Sequence, residues 1–513
     1  MSDTLATLRG LVPEGLPISI QVVIATLVLG VVYSLITADR PFSGFPVLTV
    51  DGKNPRESWL YHGQQVLAVG MQKFSGPAQV ITGTGPKIVL PNKFAEEVRN
   101  HPSLNFNKAF AKDFMINYPG FEAFRLGLED NRMIQDTIRI KLTQSLGLVT
   151  EDLVDEAIAA LHDVFGDSPE WTTKHIRDDM LEVIARLSSR VFLGSELCRN
   201  RRWLEISKSY TLDSFMLSAL MRAAPALLRP VAYLLLPQSR RLRAHVRDAR
   251  SLINPEVARR KAIVDAAHAQ GEKAPKISDT IGWMYEVSKG RDADYVAGQL
   301  SLTAAAMHTT TESTCAAILD ICEHPDVAQR LREEIIEVLG AEGWSKVALH
   351  KLKFMDSFLK EGQRVRPLGY STMHRFVTEP VKLSDGSVLP KGARMVVAGN
   401  FMDPAVYPEP ETYDPERFLK MRQQPGQENS WQFVTSNPSH TFFGYGQHAC
   451  PGRFFAANEM KIVLCHLLLK YEWRFVPGEG RPPTQTFEAV NTVNKDAKVQ
   501  IRRRTPEIDL DNY

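Results

Sequence analysis

Cys450 is the residue whose surroundings are best arranged for chemistry. It lies in Phe442-Phe443-Gly444-Tyr445-Gly446-Gln447-His448-Ala449-Cys450-Pro451-Gly452-Arg453-Phe454-Phe455. Apolar residues at Phe454, Ala457, Val463, Leu464, Leu467 and Leu468 then recur with helical spacing, which puts the cysteine at a helix N-terminus. The dipole and the free backbone N–H groups there favour a thiolate over a thiol. Glycines at 444, 446 and 452 remove side chains, so a large planar group can approach the backbone closely. A lone cysteine before a helix is more often buried and inert. The Phe, Gly, His, Cys and Gly pattern around this one is what argues for more.

A zinc site would need further Cys or His at zinc spacing, and His440 and His448 do not supply it. A thiolate axial ligand to haem iron fits better, because such a ligand pushes electron density onto the iron and favours O–O cleavage. Three further groups accompany it. Glu361 and Arg364 stand at i, i+3 and meet on one helix face. Arg417 lies in Asp414-Pro415-Glu416-Arg417-Phe418. Ala304-Ala305-Ala306-Met307-His308-Thr309-Thr310-Thr311-Glu312 puts small residues before a run of threonines. β-Branched residues suit a mid-helix poorly, and a threonine hydroxyl can bond back to a helix carbonyl. An imidazole such as His308 can shuttle protons near neutral pH.

These motifs resemble those of the cytochrome P450 family, in that family's order, over nearly all of the chain after Pro46. Phe443, Gly446, His448, Cys450 and Gly452 match the five positions of its haem-binding loop, Phe-x-x-Gly-x-His/Arg-x-Cys-x-Gly. The resemblance implies Cys450 as the iron ligand, Phe443 packed beside the sulfur and His448 at a haem propionate. It implies that Glu361, Arg364 and Arg417 form a buried ion triad, which specifies the haem-side fold more than it adds stability. Thr309 matches the alcohol of the family's acid–alcohol pair. His308 stands where the acid would be and Ala306 where a glycine would be, a variant similar to one in fungal terpenoid-oxidising members. The relay of protons by His308 is an expectation on that basis. Gln135 replaces the tryptophan of the family's Trp-x-x-x-Arg helix, with Arg139 retained as a propionate contact. Arg375, in Met373-His374-Arg375-Phe376, is a second such contact. The Asn400-Phe401-Met402-Asp403-Pro404 loop is about two residues shorter than usual, so a tightened connection is expected there.

The elements that must hold these residues are mostly helical. Apolar spacing predicts helices from about Asp152 to Leu339, with one long helix over Asp292 to Glu323 stopped by His324-Pro325. Asp326 is expected to cap the next helix through Leu339, with Arg332, Glu333 and Glu334 on its wet side. Asp385-Gly386 is a hairpin signal between Val381 and Leu389. The expected fold is mainly α with a small β region, a cytochrome P450 fold preceded by one transmembrane helix. The expected organisation is a short tail over 1–15, an anchor over 16–38, a proline-containing hinge over 39–46 and a catalytic domain over 47–513. Leu16 to Ala38 carries no charge and is long enough to cross a bilayer. The charges at Arg9, Arg40, Lys53 and Arg56 favour a cytoplasmic C-terminal domain. Apolar pieces over 226–236 followed by Arg240, Arg241, Arg243, Arg247 and Arg250 suit either a surface that dips into lipid or a buried loop beside a solvated helix.

With a net charge of +2 and no basic block interleaved with aromatics, nothing points to nucleic acid. The odd number of cysteines and the lack of a Cys-x-x-Cys pair argue against a disulfide framework. The resemblance implies haem b as cofactor, with electrons from NADPH through a separate NADPH–cytochrome P450 reductase and cytochrome b5 as a further partner. It also implies membrane lipid as a partner and the endoplasmic reticulum membrane as the location, crossed once, with the catalytic domain facing the cytoplasm. Substrate contacts are expected from Phe106 to Phe124, Phe215 to Leu236, Ala304 to Thr310, Pro367 to Thr372 and Val490 to Asn494. Apolar side chains there, including Phe110, Phe114, Met115, Phe121, Phe124, Phe215, Met216, Leu368 and Val490, suit a terpenoid or indole skeleton. Oxidative coupling, desaturation or rearrangement on the same fold is the alternative outcome. A membrane haem protein without turnover is a further one.

Overall fold

The computed structural model describes residues 17–38, 40–50, 52–129, 132–273 and 277–511, so the expected tail over 1–15 lies outside the described residues. Helix α1 (Ile18–Ala38) is followed by a mainly helical body with a small β region. The five-stranded sheet contains β1 (Ala78–Thr82), β2 (Gly85–Leu90), β3 (Leu104–Asn105), β4 (Ser371–Val377) and β5 (Arg394–Ala398), in the order β1-β2-β5-β4-β3. β2 and β5 pair in parallel, and the other strand pairs of the sheet are antiparallel. The expected Asp385-Gly386 turn joins a short hairpin of Val381–Lys382 and Val388–Leu389.

The helices that frame the site are α2 (Phe106–Phe114), α3 (Ile176–Leu193), α4 (Arg201–Ala223), α5 (Pro237–Ala269), α6 (Tyr295–Glu323), α7 (Pro325–Glu342), α8 (Lys353–Val365) and α9 (Arg453–Lys470). The long α6 runs through the main core, packed on α3, α4, α5 and α9. Asp294 starts it, accepting from the Ala297 N–H at 2.9 Å, and His324-Pro325 ends it as expected, since the residue before proline leaves the helical region.

Asp326 does not cap α7. Pro325 is the first helical residue, where its missing N–H costs nothing, so His324 is the N-cap, the helix starts two residues earlier and Asp326 lies inside the first turn. Arg332 and Glu334 also leave the wet side: Arg332 donates to the Leu468 carbonyl at 2.8 Å, and Glu334 accepts from the N–H groups of Phe354 and Met355 at the start of α8.

The segment that sequence left open between lipid surface and buried loop is exposed. Leu227, Val231, Leu234 and Leu235 are each more than half exposed, while Tyr233 between them is buried. α1 packs on this segment through Gly30, where an added Cβ would lie 2.7 Å from Leu227 Cδ1. The side chains of α1 are described only over 19–33, and among the described residues no helix is long and apolar enough to cross a membrane.

Candidate active site

The loop before α9 is folded around its backbone. The Cys450 N–H donates to the Phe443 carbonyl at 2.7 Å, and Arg453 donates to the Cys450 carbonyl at 2.8 Å. Gly444 and Gly446 both adopt positive φ (71° and 78°). At Gly446 a side chain is doubly excluded, because a Cβ would meet Asn100 Oδ1 at 2.6 Å and Arg99 Cβ at 2.8 Å. Gly452 is different: nothing in the protein lies within 4 Å of a Cβ built there. Its bare backbone faces open space.

Cys450 lines a cavity of about 670 Å³, within the usual range for small-molecule sites. Burial raises the Cys450 thiol pKa, and the N–H groups of Gly452 and Arg453 with the Arg453 guanidinium only partly oppose it. The expected preference for a thiolate therefore is not met by the helix end alone. A bound metal cation would deprotonate the thiol outright.

Arg139, Arg375 and His448 line the same cavity. Arg375 is 2% exposed and donates only to carbonyls, those of His374 (2.9 Å) and Arg99 (3.4 Å). Arg139 donates to the Gln447 carbonyl. His448 stacks on Phe106, ring centroids 5.3 Å apart. Burial, then the positive charges of Arg375, Arg139 and Arg132, pull the His448 imidazole down to about 4. Among the described residues none of Arg139, Arg375 and His448 forms an ion pair with a carboxylate. A buried guanidinium without an anion is costly, so this end of the cavity suits a ligand that brings carboxylates. Arg139 sits in a π-helical turn over Thr137–Leu142, and the Gln135 side chain before it donates to the Gly127 carbonyl at 2.7 Å. π-Turns are frequent at functional sites.

Across the cavity Ala305 of α6 lines the wall, and Thr309 lies one turn further on the same exposed stripe. Its hydroxyl donates to the carbonyls of Ala305 (2.9 Å) and Ala306 (3.3 Å), while the helix stays continuous. His308 is not brought to this stripe. One residue along a helix is a rotation of about 100°, and the His308 Nε2 donates to the Lys208 carbonyl of α4 at 3.1 Å. Burial lowers its pKa and so keeps it neutral. This geometry corrects the expected relay: His308 is packed between helices, and Thr309 alone of the pair faces the open side.

Glu361, Arg364 and Arg417 do come together. Arg364 grips both carboxylate oxygens of Glu361 at 2.8 and 2.7 Å, and Arg417 Nε reaches both at 3.2 Å. Glu361 and Arg364 are fully buried and Arg417 is 6% exposed. The remaining guanidinium donors go to the carbonyls of Phe401, Pro410 and Thr412, so the network is filled. Phe401 belongs to the Asn400-Phe401-Met402-Asp403-Pro404 loop, which is closed by the Asn400 side chain donating to Asp403 at 2.9 Å.

A family model for cytochrome P450 matches residues 93–501. The chain belongs to the cytochrome P450 family. It is 43% identical over 479 residues to the cytochrome P450 monooxygenase bsc2 of Alternaria brassicicola, covering 92% of this chain and 91% of that one. It is 39% identical over 490 residues to the cytochrome P450 monooxygenase adrA of Penicillium rubens, covering 93% and 94%. Retinoic acid-bound cyanobacterial CYP120A1 shares the fold, with a TM-score of 0.62 at 17% identity, covering 90% of this chain and all of that one. Cytochrome P450 enzymes are oxidoreductases that use molecular oxygen and a haem iron, with electrons from a redox partner. The cavity fits that cofactor: one half-buried cysteine on its lining for the metal, bare backbone at Gly452 beside open space, and unpaired cations at one end for two carboxylates.

Sequence reasoning missed His374, which lines the cavity next to Arg375. Its only signal was position, immediately before a residue already singled out. Within the segment expected to give substrate contacts, Phe106, Phe110 and Phe114 stand at i, i+4 and i+8 on α2 and form a row of rings with centroids 4.6 and 5.6 Å apart. Phe106 and Phe110 line the cavity, while Phe114 stacks behind Phe110. Phe121, expected there too, is fully buried in the main core.

Proposed function

We propose that this chain is a membrane-anchored haem-thiolate monooxygenase that hydroxylates or otherwise oxidises a hydrophobic small molecule of the terpenoid or indole alkaloid type in fungal secondary metabolism. The cavity shared by Cys450, the cations Arg375 and Arg139, and Ala305 carries this reading. Cys450 would hold the iron, and Arg375, Arg139 and His448 would hold the carboxylates. When bound, the haem supplies oxygen activation for attack on a substrate C–H bond. Electrons come from NADPH through a separate reductase. Phe106 and Phe110, with Phe114 stacked behind Phe110, give the cavity an apolar wall that excludes water and suits a polycyclic skeleton.

Thr309 lies on the exposed stripe of α6, and its hydroxyl, which donates to the Ala305 carbonyl, can present its proton to the open side by rotating away from that carbonyl. Thr309→Ala is expected to lower product formed per NADPH by about 10²-fold, the low end for loss of a proton-transfer group, with hydrogen peroxide released instead. His308→Ala is expected to leave that ratio unchanged and to lower thermal stability, since it removes only packing and the bond to the Lys208 carbonyl. Parallel assays of product, NADPH and peroxide separate the two. A fall in coupling in His308→Ala would restore the relay.

α1 and the exposed Leu227, Val231, Leu234 and Leu235 support attachment to the endoplasmic reticulum membrane with the catalytic domain in the cytoplasm. Removing the residues before Pro41 is expected to shift most of the protein from the membrane pellet and to keep the haem spectrum. A remnant should stay bound through that patch, because one short apolar surface binds weakly. Loss of haem on truncation would show that α1 belongs to the core.

A further inference from the structure

β4 contains an irregularity that aims one side chain. Thr372 pairs with Val397 and Arg375 with Met395, so Met373 and His374 together face one residue of β5. This is a bulge, a device that re-aims side chains next to active sites. Met373 adopts a left-handed backbone (φ 54°), which a non-glycine residue rarely accepts without reason. Met373 is buried in the core cluster at the sheet and also reaches the cavity lining, where His374 stands beside it, less buried.

The His374 ring lies 5.5 Å from the ring of Phe110. Among the described residues its side chain makes no hydrogen bond; only its main-chain carbonyl is used, by Arg375. The groups facing it are charged but already engaged. Asp113 is bound by Lys87 at 3.2 Å, by Thr84 at 2.8 Å and by Arg394, and Arg375 is turned to carbonyls. Burial and the cations Lys87, Arg375 and Arg394 outweigh Asp113 and pull His374 down to about 3. The imidazole is therefore neutral at physiological pH, with one N–H donor and one ring-nitrogen acceptor. In a half-buried apolar wall such a pair is expensive to leave unfilled.

We propose that His374 is a specificity-determining residue that hydrogen-bonds an oxygen function, a hydroxyl above all, on an otherwise hydrocarbon substrate lying along Phe106, Phe110 and Phe114. The inference rests on the monooxygenase reading and narrows it. The preferred substrate already carries oxygen, so an earlier oxygenation or a hydrolysis must supply it. A neutral imidazole beside a hydrophobic wall selects an alcohol over the parent hydrocarbon, because the hydrocarbon leaves both ring nitrogens dry and unpaired.

The test uses the full haem-loaded chain and a pair of tricyclic probes differing by one hydroxyl, abietadiene and abietadienol, titrated by substrate-induced changes in the haem spectrum. Wild type is expected to bind the alcohol about tenfold more tightly, the scale of one net hydrogen bond. His374→Phe keeps the ring contact with Phe110 and removes both nitrogens, and should abolish the preference. His374→Gln restores a donor and an acceptor and should recover part of it. Equal affinity for both probes in wild type, or binding of neither, would overturn the proposal, as would a preference that survives in His374→Phe. Loss of haem from His374→Phe alone would assign the imidazole to a haem carboxylate and overturn it as well. A normal carbon monoxide spectrum in wild type alongside any of these results would leave the monooxygenase reading standing and remove only the role of His374.

Discussion

Cys450→Ser is expected to reduce product formation to below about a thousandth of wild type, equivalent to about 4 kcal/mol of added barrier. A serine oxygen lacks the electron donation that a thiolate gives the iron. The fold should survive the change. The cysteine backbone makes the loop's hydrogen bonds, through its N–H to Phe443 and its carbonyl to Arg453, and serine preserves both. Turnover with reductase and NADPH, set beside a thermal melt, separates lost chemistry from lost structure. Retained turnover would mean that another residue holds the iron.

Glu361→Ala is expected to have the larger effect on stability. The variant would leave Arg364, fully buried, and Arg417, nearly so, without their shared carboxylate. Breaking a buried pair by removing one partner costs about 3–5 kcal/mol, because the remaining charge stays uncompensated. That is a large share of a typical folding free energy. Low yield, lost haem and a reduced denaturant midpoint should appear together. Glu361→Gln should fall between, since it keeps acceptor geometry for Arg364 but not the charge. A variant with unchanged stability would show that the carbonyls of Phe401, Pro410 and Thr412 suffice to hold the two guanidinium groups.

Local signals were legible in the sequence where local physics decides. Proline after His324 ended α6, Asp385-Gly386 made its hairpin, and the i, i+3 spacing of Glu361 and Arg364 formed its pair. Arg417, 53 residues beyond Arg364, could be joined to them only through the family's pattern and not from spacing (417 minus 364). The start of α7 falls two residues before the expected one, because proline suits the first helical position and Pro325 takes it, which makes His324 and not Asp326 the N-cap. His308 and Thr309 are neighbours in sequence but face different ways, because a helix turns between them. The Cys450 thiol shows the limit of an argument from a helix end: the dipole is local, while the burial that outweighs it comes from the whole fold. His374 was hidden for a similar reason. A bulge and a positive φ at Met373 aim it, and neither is written in residue type.

The central claim is that Cys450 is a thiolate ligand to haem iron. The most direct measurement is the absorption spectrum of the reduced full-length protein with carbon monoxide, in wild type and in Cys450→Ser. Wild type is expected to show the long-wavelength band typical of thiolate-ligated haem and the variant to lack it, with haem still bound through Arg375, Arg139 and His448. A wild-type band at the position of histidine-ligated haem, or a thiolate band that persists in Cys450→Ser, would contradict it.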